Sequence, residues 1–280
     1  MTTTELLQQS TRRLKACGIS SASLDSQLLL AKVLKTSREK LLADAKESLS
    51  RAEEKSFRAL LRRRLEGESV SYLCARAYFY GQEFYLEPGV LSPRPETELL
   101  VEQALVWLDQ QERQNLIVTD IGTGSGCIAI ALALARPQLL IYATDKSGIA
   151  ISVAEKNIIQ YNLGGRIKLL RGQLCSPLLE KINLLVANLP YLPAADYLKV
   201  EAEVTRESAQ ALYGGEDGLD LIKELIRTCP AKLAPGGAIM LEFDPRQRQN
   251  LEKYAKQRKF KPKFHQDLSG KDRVVVLTQN

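Results

Sequence analysis

Three short segments carry the residues whose types and spacing could do chemistry. The first is a glycine-rich stretch, residues 120–126 (DIGTGSG), which follows an apolar run typical of a buried strand and opens an apolar helical run. Glycines in such a place let a turn be tight, and they let the backbone approach a ligand where a Cβ would clash. The strand–turn–helix context predicts a loop for a nucleotide-type ligand, although a plain βα turn would look the same in isolation.

The second segment ends in Asp145, which closes the next apolar run, residues 141–145 (IYATD). An ionised aspartate is a two-oxygen acceptor, so it suits the two hydroxyls of an adenosine ribose. Its distance from the glycine-rich loop, about 20 residues, is the one that both nicotinamide and methyl-donor cofactors need. Taken alone, Asp145 could equally be an ordinary helix N-cap. The loop that precedes it favours the ribose interpretation.

The third segment is residues 188–191 (NLPY), at the end of a further predicted strand. Ligands of open α/β sheets bind beyond the carboxyl ends of the strands, so this tetrapeptide should face the cofactor. Pro190 favours an extended conformation at Leu189, which can direct the Leu189 carbonyl outward beside the side-chain oxygen of Asn188. Two such acceptors suit an NH₂ group, and Tyr191 offers an aromatic face to a planar group. This pattern favours a methyltransferase over a nicotinamide enzyme.

The elements that must position these segments form an α/β pattern in the C-terminal part of the chain. Near-continuous apolar strands alternate with helical segments, which predicts a doubly wound, mostly parallel seven-stranded sheet covered on both faces. The last two strands lack a helix between them and are expected to form an antiparallel hairpin. The predicted strands are residues 116–119, 139–144, 167–170, 182–187, 238–243, 261–266 and 274–278.

The chain divides by pattern into three parts. Residues 1–74 show helical periodicity and predict a helical bundle, residues 75–95 predict a β-hairpin followed by a proline-rich connector, and residues 96–280 form the α/β domain, opening with a helix to about residue 110. Gly18 is placed to end the first helix. Capping-box patterns predict three helix starts, at Thr2 with Glu5, Thr36 with Glu39, and Ser50 with Glu53.

Composition narrows the class of protein. The chain has 280 residues, 45% of them hydrophobic and 26% charged, which is globular composition. No apolar run approaches the roughly 20 residues of a membrane span, and the N-terminus lacks a secretory signal, so a cytoplasmic protein is expected. The net charge of +6 is compatible with RNA or an acidic partner but proves neither.

Cysteine and histidine usage argues against metal chemistry. The five cysteines are scattered and form no CxxC pair, so we expect reduced thiols rather than a disulfide framework or a zinc site. The single histidine, His265, has no partner at metal-ligand spacing. We therefore predict no metal and no imidazole chemistry.

Residues 188–191 resemble the N/D-P-P-Y motif of methyltransferases that act on amide or adenine amino groups. Further segments resemble the peptide chain release factor glutamine methyltransferases, nearly from end to end. Besides the helical N-terminal segment, they are residues 67–72 (GESVSY), 91–98 (LSPRPETE), 120–126, 214–219 (GGEDGL) and 267–273 (DLSGKDR). Residues 91–98 and 214–219 are far more specific than the glycine-rich loop.

The resemblance implies S-adenosylmethionine as donor and, as acceptor, the glutamine of the GGQ loop of class 1 release factors. It also implies that the N-terminal bundle recognises the body of the release factor. We further expect a monomer that needs no direct nucleic acid. Catalysis and substrate binding would rest on Asn188, Leu189, Pro190 and Tyr191. Cofactor binding would rest on Asp120, Gly122, Thr123, Gly124, Ser125, Gly126, Asp145, Gln173, Leu174 and Asn188.

The sequence departs from the family pattern at three places. Leu189 replaces the usual first proline, Gln173 replaces a frequent acidic residue and is followed by Leu174 rather than an aromatic residue, and Glu207 is followed by Ser208 instead of proline. These departures affect the expected cofactor affinity more than the expected reaction type. Two alternatives stay open: adenine-N6 methylation of ribosomal RNA, and a non-catalytic module that binds a release factor.

Overall fold

The computed structural model describes residues 2–43, 48–113, 115–200 and 212–279, with the side chains of 198–200 excepted. The chain divides into two compact units, Met1–Arg76 and Ala77–Asn280. Within the described residues no helix is both long enough and apolar enough to cross a membrane.

The first unit is helical, as predicted. Its core consists of apolar side chains that recur at helical spacing, among them Leu6, Leu30 and Phe57. Full capping boxes start the first and fourth helices at Thr2 and Ser50. The helices are α1 (Thr3–Ala16), α2 (Ala22–Leu34), α3 (Arg38–Ala43), α4 (Arg51–Leu65) and α5 (Val70–Cys74).

The predicted cap at Thr36 is wrong by one residue. Helix α3 begins at Arg38, and the hydroxyl of Ser37 accepts a hydrogen bond from the Lys40 amide at 3.2 Å. Both Thr36 and Ser37 are good capping residues, and the capping-box spacing favoured the first of them. Gly18 has a φ of +78° and ends α1 as expected.

The predicted β-hairpin is confirmed as strands β1 (Arg76–Phe79) and β2 (Gln82–Tyr85). Tyr80 and Gly81 both have positive φ, which matches the twist of a two-residue hairpin turn to that of its strands. The rings of Phe79 and Phe84 lie edge to face with their centroids 6.4 Å apart, and both are buried in the core of the second unit.

The predicted seven-stranded sheet is also confirmed. Its order is β5-β4-β3-β6-β7-β9-β8, with β9 antiparallel to both of its neighbours and the other pairs parallel. The strands are β3 (Ile117–Ile121), β4 (Leu140–Asp145), β5 (Ile167–Arg171), β6 (Ile182–Ala187), β7 (Leu233–Glu242), β8 (Phe260–Gln266) and β9 (Asp272–Gln279).

Helices cover both faces of this sheet, so two apolar clusters form, one on each side. Helix α7 is apolar around its whole circumference because it is buried almost completely. The helices of the second unit are α6 (Glu98–Asp109), α7 (Cys127–Ala135), α8 (Gly148–Gln160), α9 (Ala194–Val200), α10 (Asp220–Thr228) and α11 (Arg248–Gln257).

The topology fixes where a ligand can bind. From β3 the chain moves outward to β4 and β5 and then returns to form β6 on the other side of β3. The carboxyl ends of β3, β4 and β6 therefore meet at a topological switch point, where the crossovers leave a crevice. The three segments singled out in the sequence follow these three strands.

The expectation of five reduced thiols is wrong for one pair, because Cys175 and Cys229 form a disulfide with their Cα atoms 5.9 Å apart. The expectation rested on sequence spacing, whereas this pair is separated by 54 residues and is brought together by the tertiary structure. Cys175 lies in the turn after β5, and Cys229 directly follows α10. Cys17, Cys74 and Cys127 are free.

Candidate active site

The glycine-rich loop is held by main-chain hydrogen bonds. The amides of Gly122 and Thr123 both donate to the carbonyl oxygen of Thr144, at 2.8 and 2.9 Å. Gly122, Gly124 and Gly126 all have positive φ, of 74°, 56° and 82°. A Cβ at Gly122 would lie 3.1 Å from the Leu189 side chain, so glycine lets the loop approach the segment after β6 closely.

Asp120 lies beneath this loop. Its Oδ2 accepts hydrogen bonds from the Thr123 hydroxyl at 2.6 Å and from the Ala129 amide at 3.3 Å, while its buried Oδ1 has no partner among the described residues. Burial raises the pKa of Asp120 to about 7, with the charge of Asp145 as a smaller contribution in the same direction. Asp120 therefore stabilises the loop by accepting hydrogen bonds from Thr123 in the loop and from Ala129 in the helix that follows it.

A cavity opens at the carboxyl ends of β3, β4 and β6 and brings together most of the predicted site residues. From the predicted set it is lined by Gly122, Gly124, Asp145, Gln173, Leu174, Asn188, Leu189 and Pro190. The other predicted residues, Asp120, Thr123, Ser125, Gly126 and Tyr191, lie outside its lining.

Asp145 lies on the cavity wall at the end of β4. Its Oδ2 accepts a hydrogen bond from the Gly124 amide at 3.0 Å, and its Oδ1 accepts one from the Ser147 amide at 2.8 Å. Each carboxylate oxygen can accept more than one hydrogen bond, so both oxygens keep capacity for a ligand. Two fixed acceptors on one carboxylate suit a vicinal diol such as a ribose.

Gln173 and Leu174 form the wall next to β5. Leu174 has a φ of +49°, and its carbonyl oxygen accepts a hydrogen bond from the Thr144 hydroxyl at 3.2 Å. The side-chain NH₂ group of Gln173 donates a hydrogen bond to Oε2 of Glu224 on α10 at 3.4 Å. This wall therefore combines an apolar side chain with an amide edge, which suits a planar heterocycle.

Segment 188–191 closes the other side of the cavity. Asn188, Leu189 and Pro190 line it, and the Asn188 side-chain NH₂ donates to the Thr97 hydroxyl at 2.9 Å. This bond occupies the donor end of the Asn188 amide and leaves its carbonyl oxygen for a ligand. The Tyr191 hydroxyl instead donates to Oε1 of Glu242 at 3.2 Å, and burial raises the pKa of this phenol.

Residues 214–219 pack directly behind this turn. A Cβ at Gly214 would lie 2.7 Å from the Pro190 carbonyl oxygen, and one at Gly218 would lie 2.2 Å from the Tyr191 carbonyl oxygen. Both distances are shorter than real Cβ atoms tolerate, so only glycine fits at either position. The GGEDGL segment therefore supports the main chain of the turn.

Sequence reasoning missed Thr97, Glu242 and Gln247 as parts of this site. The Gln247 amide donates to the carbonyl oxygens of Tyr191 at 2.8 Å and Asp217 at 3.0 Å, and its own oxygen accepts from the Asp244 amide. Glu242 and Gln247 are buried, at 1% and 5% exposure. The sequence offered a signal only for Glu242, which is a charged residue inside the otherwise apolar run 238–243 (AIMLEF).

The cavity also takes in residues 89–91 of the proline-rich connector, the start of α8 and Leu221 of α10, none of which was predicted to line it. The Glu207–Ser208 departure lies outside the described residues. Across the ranges that the structure describes, no group of His, Cys, Asp and Glu side chains is arranged to hold a metal ion.

These observations fit an adenosine-containing methyl donor. One cavity is lined by the two carboxylate oxygens of Asp145, by Leu174 and by Gly122, where the absence of a Cβ lets the main chain come close to a ligand. The unpartnered Oδ1 of Asp120 also leaves one buried acceptor beneath the loop. On the opposite wall, the Asn188 side-chain oxygen has no partner among the hydrogen bonds of the described residues, and an NH₂ group is the kind of donor it suits.

Comparison with known proteins agrees with this geometry. The model of the PrmC N-terminal domain matches residues 5–74, and the model of ribosomal protein L11 methyltransferase (PrmA) matches residues 100–199. A methyltransferase structure from Pyrococcus furiosus shares the fold, with a TM-score of 0.53 at 15% identity over 78% of this chain and 97% of that one.

Curated relatives cover almost the whole chain. The release factor glutamine methyltransferase of Deinococcus radiodurans is 35% identical over 97% of this chain and 96% of its own length. The protein of the same name from Bordetella pertussis is 40% identical over 78% of this chain and 80% of its own. The chain therefore belongs to the release factor glutamine methyltransferases, a family of S-adenosylmethionine-dependent enzymes.

Proposed function

We propose that this chain transfers the methyl group of S-adenosylmethionine to the side-chain amide nitrogen of the glutamine in the GGQ loop of peptide chain release factors. The proposal rests on a single cavity. One of its walls carries the Asp145 carboxylate, which suits the hydroxyls of a ribose, and the other carries the side-chain oxygen of Asn188. The names of the curated relatives support the choice of substrate.

The donor side of the cavity consists of residues 120–126 with Asp145, Gln173 and Leu174. In this proposal Gly122 and Gly124 lie against the methionine part of the cofactor, because they line the cavity without a Cβ. Asp145 accepts hydrogen bonds from the ribose hydroxyls. Leu174 packs against the adenine ring, and Gln173 hydrogen-bonds its edge. The bound cofactor supplies an electrophilic methyl group on a sulfonium.

The acceptor side consists of residues 188–191. A primary amide nitrogen is a poor nucleophile because its lone pair is delocalised into the carbonyl. Hydrogen bonds from its two N–H groups to the Asn188 oxygen and the Leu189 carbonyl would orient the nitrogen toward the methyl group. They would also favour a less planar nitrogen, an effect that is larger in the transition state than in the ground state.

The reaction needs no general base before the transfer. A nitrogen–carbon bond forms as the sulfur–carbon bond breaks, and the leaving group is a neutral thioether. The nitrogen is then positively charged, so its extra proton is acidic and leaves to solvent. The lack of a histidine in the cavity is consistent with this sequence of events, since His265 lies on β8.

The remaining proposals concern the setting of the reaction. The helical unit recognises the body of the release factor, while the second unit receives its GGQ loop. The enzyme acts in the cytoplasm as a monomer and needs no direct contact with nucleic acid. Residues 1–74 serve as the recognition domain, 75–95 as the connector and 96–280 as the catalytic domain.

The test offers methyl-labelled S-adenosylmethionine to purified release factor, to ribosomal RNA, and to neither. We expect label only in the release factor, none in a release factor whose GGQ glutamine is replaced by alanine, and a loss of about 10²-fold or more with Asn188→Ala. Asn250→Ala, at an exposed position of α11, serves as the control. Label in RNA, no label anywhere, or full activity of Asn188→Ala would overturn the proposal.

A further inference from the structure

The strongest unexplained feature near the cavity is a buried carboxyl group behind it. Glu242 ends β7, is 1% exposed and does not line the cavity. Its Oε1 accepts a hydrogen bond from the Tyr191 hydroxyl at 3.2 Å, whereas its Oε2 has no hydrogen-bond partner among the described residues. Burying a carboxylate costs free energy unless the group is paired and hydrogen-bonded, so the unpartnered oxygen of Glu242 calls for an explanation.

Glu242 is connected to both ends of the acceptor side. It accepts a hydrogen bond directly from Tyr191. The Thr97 hydroxyl accepts a hydrogen bond from the Asn188 NH₂ at 2.9 Å, and this hydroxyl lies close enough to the carboxyl group to lower the pKa of Glu242. The unpartnered Oε2 is therefore an acceptor available to the Thr97 proton. Thr97 is itself buried, at 2% exposure.

We propose that Glu242 is a positioning residue for methyl transfer, which acts through Thr97 to keep the Asn188 side-chain oxygen turned toward the substrate amide. This inference rests on the proposed function. A hydroxyl has one proton, and whichever group accepts that proton decides what the hydroxyl oxygen can do. A carboxylate can only accept, so in this proposal its unpartnered Oε2 takes the Thr97 proton, which leaves the Thr97 oxygen to accept from the Asn188 NH₂.

The direction of the hydrogen bonds from Asn188 through Thr97 to Glu242 matters because an asparagine amide has nearly the same shape in both orientations. Were the Thr97 proton directed at Asn188 instead, the amide would turn and present its NH₂ group to the cavity. An NH₂ group facing the substrate NH₂ cannot form a hydrogen bond, since both are donors. The terminal acceptor therefore determines whether the site recognises an amide nitrogen.

The charges around Glu242 make this arrangement sensitive to pH. Burial raises the pKa of Glu242 to about 7; Thr97, Tyr191 and the Arg273 cation on β9 act in the opposite direction, and Glu96 adds to the rise. Asp244, two residues further along the chain, also faces the Tyr191 phenol. Below its pKa the carboxyl group acquires a proton that it can donate, and the hydrogen bonds through Thr97 to Asn188 lose their fixed direction.

The experiment measures kcat and KM for both substrates between pH 5.5 and 9. Thr97→Val removes the hydroxyl at constant shape, and Glu242→Gln replaces the obligatory acceptor by a group that also donates. We expect kcat to fall by about 10- to 100-fold in both variants, with the KM for S-adenosylmethionine within about threefold of the wild type. Thr97→Ser should restore most of the lost rate.

The pH profile separates positioning from a merely structural role. In the wild type kcat should fall as the pH drops through the Glu242 pKa, and in Glu242→Gln this acid limb should be absent. Thr119→Val is the matched control, since it also removes a buried threonine hydroxyl, one that donates to the Tyr142 carbonyl at 2.9 Å inside the sheet. It should lower stability without changing kcat or its pH profile.

Each outcome decides the question. If the wild type methylates release factor and Thr97→Val keeps the wild-type kcat, the inference is wrong while the proposed function stands. If the wild type methylates nothing, the proposed function fails first. If Glu242→Gln does not fold, the Thr97→Val and Thr97→Ser pair still tests the hydrogen bonding through Thr97. Cofactor binding measured by calorimetry shows that these two variants are folded.

Discussion

The two sides of the cavity are held in place by different kinds of bonds. On the donor side, main-chain amides of the glycine-rich loop donate to the Thr144 carbonyl and to Asp145, which are 21 or 22 residues away in sequence. On the acceptor side, side-chain bonds of Asn188 and Tyr191 reach partners 91 and 51 residues away. The glycine-rich loop of the donor side is thus held by its own main-chain donors, whereas Asn188 and Tyr191 of the acceptor side depend on buried side chains from distant elements.

This difference has a consequence for substitution. Main-chain bonds survive most changes of side chain, so the donor side should be sensitive mainly at its glycines and at Asp145. Side-chain bonds to buried partners are lost with the partner, and the unpaired group that remains is costly. The acceptor side should therefore fail through residues that never touch the substrate.

The largest effect is expected from Gly218→Ala. The new Cβ would meet the Tyr191 carbonyl oxygen at 2.2 Å, and the φ of +75° is unfavourable for alanine. We expect the free energy of unfolding to fall by about 4 kcal/mol. Urea titration measures this loss. Gly164→Ala is the control because its Cβ would meet nothing within 4 Å; equal effects of the two changes would show that the turn is not supported from behind.

The second effect is expected on the donor side, from Asp145→Asn. An asparagine keeps only one of the two acceptors and places an NH₂ group near the Gly124 or Ser147 amide, two donors that cannot pair. We expect the Kd for S-adenosylmethionine to rise about 100-fold, or about 2.7 kcal/mol, with kcat at saturation little changed. Calorimetry measures the Kd, and Asp109→Asn, at the far end of α6, is the control.

A fall in kcat with an unchanged Kd in Asp145→Asn would contradict the division into two sides.

The smallest effect is expected from Asp120→Asn and concerns pH. Because the folded-state pKa of Asp120 is raised to about 7, its protonated form stabilises the fold at low pH, and this contribution is lost as the pH rises through about 7. Between pH 5 and 8 the wild type should lose about 2 kcal/mol more unfolding free energy than the variant.

Denaturant unfolding at the two pH values measures this difference, and Glu155→Gln on the exposed side of α8 should leave the wild-type dependence intact. A variant with the same pH dependence as the wild type would mean that Asp120 is ionised in its buried position.

Much of the fold was predictable from the sequence because its signals are local. The apolar strands, the hairpin turn at Gly81 and the glycine-rich loop each depend on neighbouring residues, and the structure bears them out. The strand β7 is longer than the predicted strand 238–243, since it begins at Leu233 and includes the Pro235-Gly236-Gly237 sequence. Pairing to β6 across an irregular register holds this segment in the sheet.

The candidate site was predictable only in part, for the same reason. Asp145 ends β4 and Asn188 directly follows β6, so both could be found from the sequence. Thr97, Glu242 and Gln247 act through partners that only the tertiary structure supplies. The GGEDGL segment was recognised by resemblance alone. Its physical reason, close packing of Gly214 and Gly218 against the turn, is a long-range contact.

The position of β9 has a consequence for how the enzyme is made. This strand follows all others in the chain, yet it lies inside the sheet between β7 and β8, and Val274 pairs with Glu242. During synthesis the cofactor half can therefore assemble while the nascent chain is still attached to the ribosome. The acceptor half is completed only when residues 272–279 have been added between β7 and β8, so it is the last part of the candidate site to form.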